Sequence, residues 1–304
     1  MAEEAIRWLR IDPGGTYLDA TVGLGGHSLE IARRLTTGRL VGLDRDAQAL
    51  EIARERLKGF ERLVTLVHAN FSRVDEVVRE LGLPLLDGVL ADLGVSSLQL
   101  DTAERGFSFR FAGPLDMRMD SDEATTAMDI VNHMAEKQLA DLLYQLGEER
   151  DSRRIARVIV RARPIRDTEH LATVVAGARP SRGRQRLHPA TKTFLALRIA
   201  VNREMEALGQ FLDRVPATLA PKGRWVVLSY HSLEDRLVKQ KFQQLAREGV
   251  VRVLTRKVEQ PSDAEVAANP RARSAKLRAA EKLAPGSNPP DLNQNENEDE
   301  AVAA

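Results

Sequence analysis

Three glycines fall within the nine residues "DATVGLGGH" (19–27), just after a short apolar run and just before an amphipathic stretch. A glycine loop between a strand and a helix lets a ligand lie against the backbone, because no Cβ stands in the way. For a pyrophosphate the loop would read G-x-G-x-x-G and set the anion on the helix N-terminus. Here the glycines are Gly23, Gly25 and Gly26, and the third glycine at that spacing is absent. A better match is an acid ending the strand followed by glycines at alternate positions, the D-x-G-x-G-x-G arrangement of S-adenosylmethionine sites. Asp19, Gly23 and Gly25 fit it, with Thr21 where the first glycine would stand. Adenosylmethionine has no pyrophosphate, so the loop needs only to admit the adenosine and methionine parts. Further on, "VGLD" closes a second apolar run with Asp44, at the spacing of a carboxylate that accepts from both ribose hydroxyls. The rival reading, a loop that only turns the chain and an Asp44 that caps a helix, stays open on these residues alone.

The elements that must position these residues are legible as a pattern. "TYLDAT", "RLVGLD", "ERLVTLVHAN" and "LLDGVLADLG" read as strands, separated by the helical stretches "HSLEIARRL", "DAQALEIARERL" and "SRVDEVVREL". Strands alternating with helices predict an α/β fold with a parallel sheet covered on both faces, and ligands of such sheets sit at the carboxyl ends of the strands. After residue 115 the alternation stops. "AMDIVNHMAEKQLADLLYQLGEE" and "SRRIARVIVRARP" read as helices, and "DTEHLATVVAGARP" as a third that Asp167 or Thr168 would cap. Past "HPATKTFLALRIAVNREMEALGQFLDRV" the sheet resumes with "GRWVVLSYHS". Ser232 and Asp235 would form a capping box for the helix "LEDRLVKQKFQQLA", and "VVRVLTRK" and "SAKLRAAEK" supply the last strands. The chain divides on this reading into a core at 1–114, a helical, arginine-rich insertion at 115–188, the rest of the core at 189–284, and an acidic tail at 285–304 expected to be disordered.

Composition narrows the chemistry. The 304 residues include no cysteine, which removes disulfides, thiolate metal sites and any thiol nucleophile. Methylation at carbon 5 of a pyrimidine commonly uses such a nucleophile, whereas an exocyclic amine, a ring nitrogen or a hydroxyl attacks a sulfonium methyl directly. No cluster requires a metal, which would have to be bound by oxygen or histidine. No apolar run approaches the length of a membrane span, and "MAEEAIRWLR" lacks a signal peptide's apolar core, so a soluble, cytoplasmic protein is the expectation. The formal net charge of +1 hides an asymmetry: residues 150–203 hold fourteen Lys and Arg against three acids. Such a segment fits phosphate neutralisation on a nucleic acid, although charge runs are often only solvated surface.

The stretch "DGVLADLGVSSLQLDTAERGFSFRFAGPLDMRMD" (87–120), together with "GLGGHS", "HPATKTFLALRIAVNREMEAL", "LSYHSLEDRLVK" and "NPRARSAKLRAAEK", resembles the ribosomal RNA small subunit methyltransferase H family from about residue 5 to about residue 283. The resemblance implies a class I, Rossmann-like methyltransferase core with an inserted helical domain. It implies S-adenosyl-L-methionine as cofactor and, as substrate, the exocyclic amino group of a cytidine in the decoding region of 16S rRNA, so that the partner would be that RNA or the small ribosomal subunit. It implies cofactor contacts at Gly25, Gly26, His27, Asp44, Phe71, Asp92 and Gln99. Each of His27, Phe71 and Gln99 has a plainer reading, as a helix start, core packing and a cap. Asp44 and Asp92 stand higher, because acids that end apolar strands cost burial unless partnered.

On cytosine N4 the lone pair is delocalised into the ring, and an enzyme must favour its localisation while aligning nitrogen, methyl and sulfur. An acceptor for an amino hydrogen is therefore wanted near the methyl. Candidates lie in "DLGVSS" (Asp92, Ser96, Ser97) and "SYHS" (Tyr230, His231). The Asp/Asn/Ser-Pro-Pro-aromatic motif of amino methyltransferases acting on DNA is replaced by "DLGV". The expectation is that Asp92 orients cofactor and amine while Tyr230 or His231 meets the base or takes the proton. RNA contact is expected at "SRGRQR" (Arg182, Arg184, Arg186) and "NPRARS" (Arg271, Arg273), and an apolar helix face in the insertion would support a homodimer. A nicotinamide-dependent dehydrogenase, a non-catalytic RNA-binding factor, and a methyltransferase for DNA or a small molecule remain competing readings at this point.

Overall fold

The computed structural model describes residues 1–178 and 188–286. In chain order the first half comprises α1 (Ala2–Leu9), β1 (Thr16–Asp19), α2 (Gly26–Ala32), β2 (Arg39–Asp44), α3 (Ala47–Arg56), β3 (Val64–His68), α4 (Val74–Glu80) and β4 (Leu86–Asp92). Helices follow without a strand: α5 (Ser97–Asp101), α6 (Ala127–His133), α7 (Glu136–Gly147), α8 (Ser152–Arg161), α9 (Thr168–Ala178), α10 (Thr191–Val201) and α11 (Glu204–Thr218). The chain ends its described part with β5 (Leu219–Ser229), α12 (Ser232–Arg247), β6 (Val251–Val253), α13 (Asp263–Ala268) and β7 (Lys276–Lys282). Contacts divide these elements into two units. One holds Met1–Asp44, Leu50–Gly94 and the chain from Leu208 onward; the other holds Arg45–Ala49 and Val95–Ala207.

The first unit is built on one sheet of seven strands in the order β3-β2-β1-β4-β5-β7-β6. Strands β3 to β5 are parallel, as expected of strands joined by helical crossovers. The last strand, β7, enters between β5 and β6 antiparallel to both, a direction the apolar spacing does not specify. The parallel register brings the carboxyl ends of four strands to one edge: Asp19 lies opposite Gly42, Asp44 opposite His68 and Asp92 opposite Leu228. Strand residues Leu18, Leu40, Leu43, Leu90 and Trp225 are fully buried, so apolar burial fixes which way each strand faces and hence where each terminal acid emerges. The α/β Rossmann-like class expected from the sequence is the class observed.

Among the described residues the second unit has helices and no strand, around a core that includes Leu115, Met117, Leu139, Leu143, Ile155, Ile159, Leu171 and Leu197. Two long periodic stretches are interrupted, the first of them contrary to the single helix expected over 127–149. The stretch from Ala127 breaks at Met134 and Ala135, both extended, between α6 and α7. The stretch from Thr191 breaks at Asn202 and Arg203, where Arg203 takes a left-handed conformation (φ 47°). The reason for the second break is visible: the Asn202 side chain accepts from Met119 N at 2.7 Å and donates to Met117 O at 2.7 Å, tying a loop that has no regular structure of its own. Helix α9 is capped by Asp167, whose Oδ1 accepts from His170 N at 2.7 Å, while Thr168 is used elsewhere.

Candidate active site

Within the first unit the glycine loop leaves β1 and turns into α2. Gly23 (φ 51°) and Gly25 (φ 79°) both take left-handed backbone, open to glycine at little cost. A Cβ at Gly25 would stand 3.3 Å from Ala53, so the loop is also pressed against α3 there. Gly26 opens α2 and is exposed.

Two acids at strand ends, Asp19 and Asp44, hold this loop together with the hydroxyls of Thr21 and Ser28. Asp19 is fully buried; Thr21 N donates to its Oδ1 at 3.1 Å and Ser28 Oγ to its Oδ2 at 2.6 Å. Burial raises the Asp19 carboxyl above its ordinary value, against the opposing pull of His27 and these two hydrogen bonds. Asp44 Oδ2 accepts from Gly23 N at 2.7 Å, so the acid expected at a ribose also anchors the loop. A carboxylate offers about four lone-pair sites, and this bond is compatible with accepting from ribose hydroxyls. Thr21 Oγ1 accepts from Asp92 N at 2.6 Å, which explains a hydroxyl residue where the pattern has glycine: it ties β1's loop to the end of β4.

Asp92 is the centre of the arrangement. Tyr230 OH donates to its Oδ1 at 2.8 Å, and His27 Nδ1 lies 3.5 Å from its Oδ2. His27 Nε2 is buried without a hydrogen-bond partner among the described residues. Gly94 (φ 100°) sits just beyond, where a Cβ would meet Tyr230 Cδ2 at 3.5 Å. Burial first, then the negative charge of Asp92 and the hydrogen bond to it, hold the Tyr230 phenol far above its ordinary range. Tyr230 therefore keeps its proton and acts as a donor that fixes one Asp92 oxygen.

His231 follows as the N-cap of α12. Its Nε2 lies 3.1 Å from Glu234 Oε1, and Glu234 Oε2 accepts from Tyr230 N at 2.9 Å and His231 N at 3.4 Å. The capping pair is thus His231 with Glu234 instead of Ser232 with Asp235. The register shifts because Asp235 is drawn away: Arg278 Nε donates to it at 2.7 Å and Lys276 Nζ at 3.1 Å, both from β7. Burial works against the Asp235 charge, but the hydrogen bonds and charges of Arg278 and Lys276 outweigh it and hold the carboxyl below its ordinary value. A depressed folded-state value stabilises the fold above the unfolded pKa, and the contribution is lost as pH falls through the folded one. Asp235→Asn should cost about 2 kcal/mol at neutral pH in urea unfolding, and the gap to wild type should begin to narrow at about pH 4 and close only below the depressed folded-state value. A gap independent of pH would show that the ion pair is not its source.

Phe71 lies in a short 3-10 turn after β3, half-buried, with its ring edge-on to Phe211 at 5.2 Å. Asn70 Oδ1 accepts from Ser72 N at 3.0 Å and starts that turn. Gln99 belongs to the second unit and is buried. Its Oε1 accepts from Ser96 N at 3.0 Å, closing a capping box on α5, and its Nε2 donates to Asp46 Oδ2 at 2.8 Å. Much of that amide is thereby used in holding the segment, a role that "SSLQ" carries as a Ser-x-x-Gln pattern. Ser97 is the first residue of α5. Arg271 and Arg273 are exposed on a 3-10 turn at 270–274, and Arg182, Arg184 and Arg186 lie outside the described residues, as does most of the acidic tail. Thr21 and Ser28 are the loop-holding residues that the glycine pattern does not announce; an alternating hydroxyl inside a glycine loop is the signal that was available.

The sequence profile of the MraW methylase family matches residues 1–283. The chain belongs to that family. Similar relatives are named ribosomal RNA small subunit methyltransferase H. The protein of that name from Gloeobacter violaceus is 54% identical, with 94% of this chain and 88% of the relative covered. That of Koribacter versatilis is 53% identical, covering 92% of each chain, and that of Solibacter usitatus 53%, covering 92% and 98%. The methylase takes S-adenosylmethionine as its methyl donor, and the loop fits such a group: left-handed glycines that leave the backbone bare, an acid at the β2 end, and an orphaned imidazole nitrogen at the start of α2. When bound, the cofactor supplies an electrophilic methyl on a sulfonium. Gly25, Gly26 and His27 would hold it along the loop, Asp44 at its ribose, Phe71 beside its adenine and Asp92 at the methyl-bearing end. Among the described residues no helix is long and apolar enough to cross a membrane.

Proposed function

We propose that this methylase transfers the methyl of S-adenosylmethionine to the N4 amino group of a cytidine in the decoding region of 16S rRNA, in the cytoplasm, on the RNA or on the small ribosomal subunit. The observation that carries the reading is Asp92, a half-buried carboxylate at the end of β4 whose one oxygen is fixed by Tyr230 OH at 2.8 Å while the other lies 3.5 Å from His27. A carboxylate held this way accepts a hydrogen from an exocyclic amine, favours a localised lone pair on nitrogen, and orients that pair toward a methyl. The absence of cysteine from the chain agrees with direct attack by an amine and disagrees with covalent activation of a pyrimidine ring. The names of the similar relatives agree with an rRNA substrate.

In this reading Asp92 orients the amine, Tyr230 holds one Asp92 oxygen in place, and His231 sets the start of α12 beside them. The arginines at 182, 184, 186, 271 and 273 would neutralise RNA phosphates, the helical insertion at 115–188 would recognise substrate, and an apolar face of that insertion would allow a homodimer. Tyr230→Phe keeps the ring and removes the donor, and should lower kcat about tenfold with cofactor affinity little changed, because one hydrogen bond to a charged group is worth about 1.5–3 kcal/mol at most. Equal kcat in single-turnover assays would remove Tyr230 from the mechanism. The function itself is tested by mass spectrometry of 16S rRNA from a strain lacking the gene. One N4-methylcytidine should be missing, and an unaltered methylation pattern would reject the proposal.

A further inference from the structure

The second unit carries an aromatic residue whose exposure is unusual for its setting. In "GFSFRF", Phe107 is buried and Phe109 packs into the helical core, its ring 4.9 Å from Phe194 and 4.6 Å from His188. The alternation would send Phe111 the same way. Instead the chain bends over 109–111, where Ser108 Oγ accepts from Arg110 N at 3.2 Å, and Phe111 is left 60% exposed next to the exposed Arg110. A single exposed apolar side chain is ordinary on a protein surface, so exposure alone assigns nothing.

What distinguishes Phe111 is that the backbone presenting it is braced. Thr168 Oγ1 donates to Phe111 O at 2.9 Å and accepts from Gly113 N at 3.0 Å, while Thr168 N donates to Gly113 O at 3.0 Å. Gly113 itself has no room for a side chain, since a Cβ there would come within 2.1 Å of Ala103 O. The loop is therefore clamped at both its carbonyl and its amide groups by one buried threonine, and the ring is offered on a stiff support. The clamp also fixes its neighbourhood. Thr168 opens α9 two residues after the exposed Arg166, and His188, stacked on Phe109, is the residue that follows the segment containing Arg182, Arg184 and Arg186. The loop thus lies against the start of α9 and, through Phe109, beside His188.

A rigid, solvent-facing aromatic with an exposed arginine next to it in the chain suits single-stranded nucleic acid: a base stacks on the ring and an adjacent phosphate meets the cation. We infer that Phe111 is a stacking platform for an unpaired base of the RNA substrate and that Arg110 neutralises a neighbouring phosphate. This rests on the RNA substrate proposed above. Ordering costs little on the protein side because the loop is already fixed, so binding energy goes into the stack.

The test uses the full chain and a fluorescein-labelled single-stranded RNA with the decoding-region sequence, followed by anisotropy at several salt concentrations, with methylation of the same RNA read in parallel. Phe111→Ala should weaken RNA binding about tenfold, within the range found for loss of one base stack. Its log affinity against log salt should keep the wild-type slope, and Phe111→Trp should restore binding. Arg110→Gln should instead reduce that slope by about one. Cofactor affinity and sedimentation behaviour should match wild type in all three variants. Wild-type affinity in Phe111→Ala, or weakening accompanied by a change in oligomeric state, would overturn the assignment, the latter in favour of a surface for a second copy of the chain. Wild-type binding without methylation of this RNA leaves the platform to be judged by Phe111→Ala and the activity by the assay on small ribosomal subunits, and no wild-type RNA binding would overturn the platform.

Discussion

Asp92→Asn should lower the rate of methyl transfer on the order of 10²–10⁴-fold, the range that a positioned acid-base or electrostatic group contributes. The substitution keeps shape: Tyr230 OH, 2.8 Å from Oδ1 in the wild type, can still donate to an amide oxygen. What it removes is the negative charge and one acceptor, the properties needed to draw a hydrogen of an aromatic amine and free its lone pair. Because Asp92 N also donates to Thr21 Oγ1 through the backbone, the link between β4 and the glycine loop survives in the variant. Cofactor affinity should therefore change less than turnover, and thermal unfolding should stay near that of wild type. Full turnover with normal cofactor affinity would take Asp92 out of the chemistry.

Asp44→Ala should weaken cofactor binding by roughly 10- to 100-fold, because hydrogen bonds to a charged group are worth about 1.5–3 kcal/mol and each 1.4 kcal/mol is tenfold. Two losses act together. The ribose loses its acceptor, and Gly23 N loses the partner that it meets at 2.7 Å, leaving a loop whose left-handed residues have less to hold them. Asp44→Asn separates the two, since an amide oxygen still accepts from Gly23 while the charge is gone; its affinity should fall between wild type and alanine. Calorimetric titration with S-adenosylhomocysteine measures this, and an unchanged Kd in Asp44→Ala would refute the ribose assignment.

The glycine loop and its acids were legible because their signal is local. Gly23, Gly25 and Asp19 share one short segment, and Asp44 follows at a spacing set by one helix and one strand. The pairing of Asp92 with Tyr230 spans 138 residues and depends on β4 and β5 being neighbours, which no periodicity reports. Long-range forces also decided the cap of α12. Ser232 with Asp235 and His231 with Glu234 are overlapping frames, and the choice falls to His231 because Arg278 and Lys276 of β7 claim Asp235. The break at Met134 was missed because helical periodicity continues through it, as it does through Asn202, where the bonds to Met117 and Met119 show what the interruption is for. Phe111 was hidden inside a run of alternating aromatics that looks like core until the bend over 109–111 is seen.

The most direct test of the account is reconstitution on small ribosomal subunits isolated from a strain lacking the gene. Purified wild-type protein and S-adenosylmethionine should place one methyl on the N4 of a decoding-region cytidine, located by mass spectrometry of nuclease fragments, and Asp92→Asn under the same conditions should leave that cytidine unmodified. A methyl on ring carbon or ribose, or equal N4 methylation by Asp92→Asn, would contradict the account.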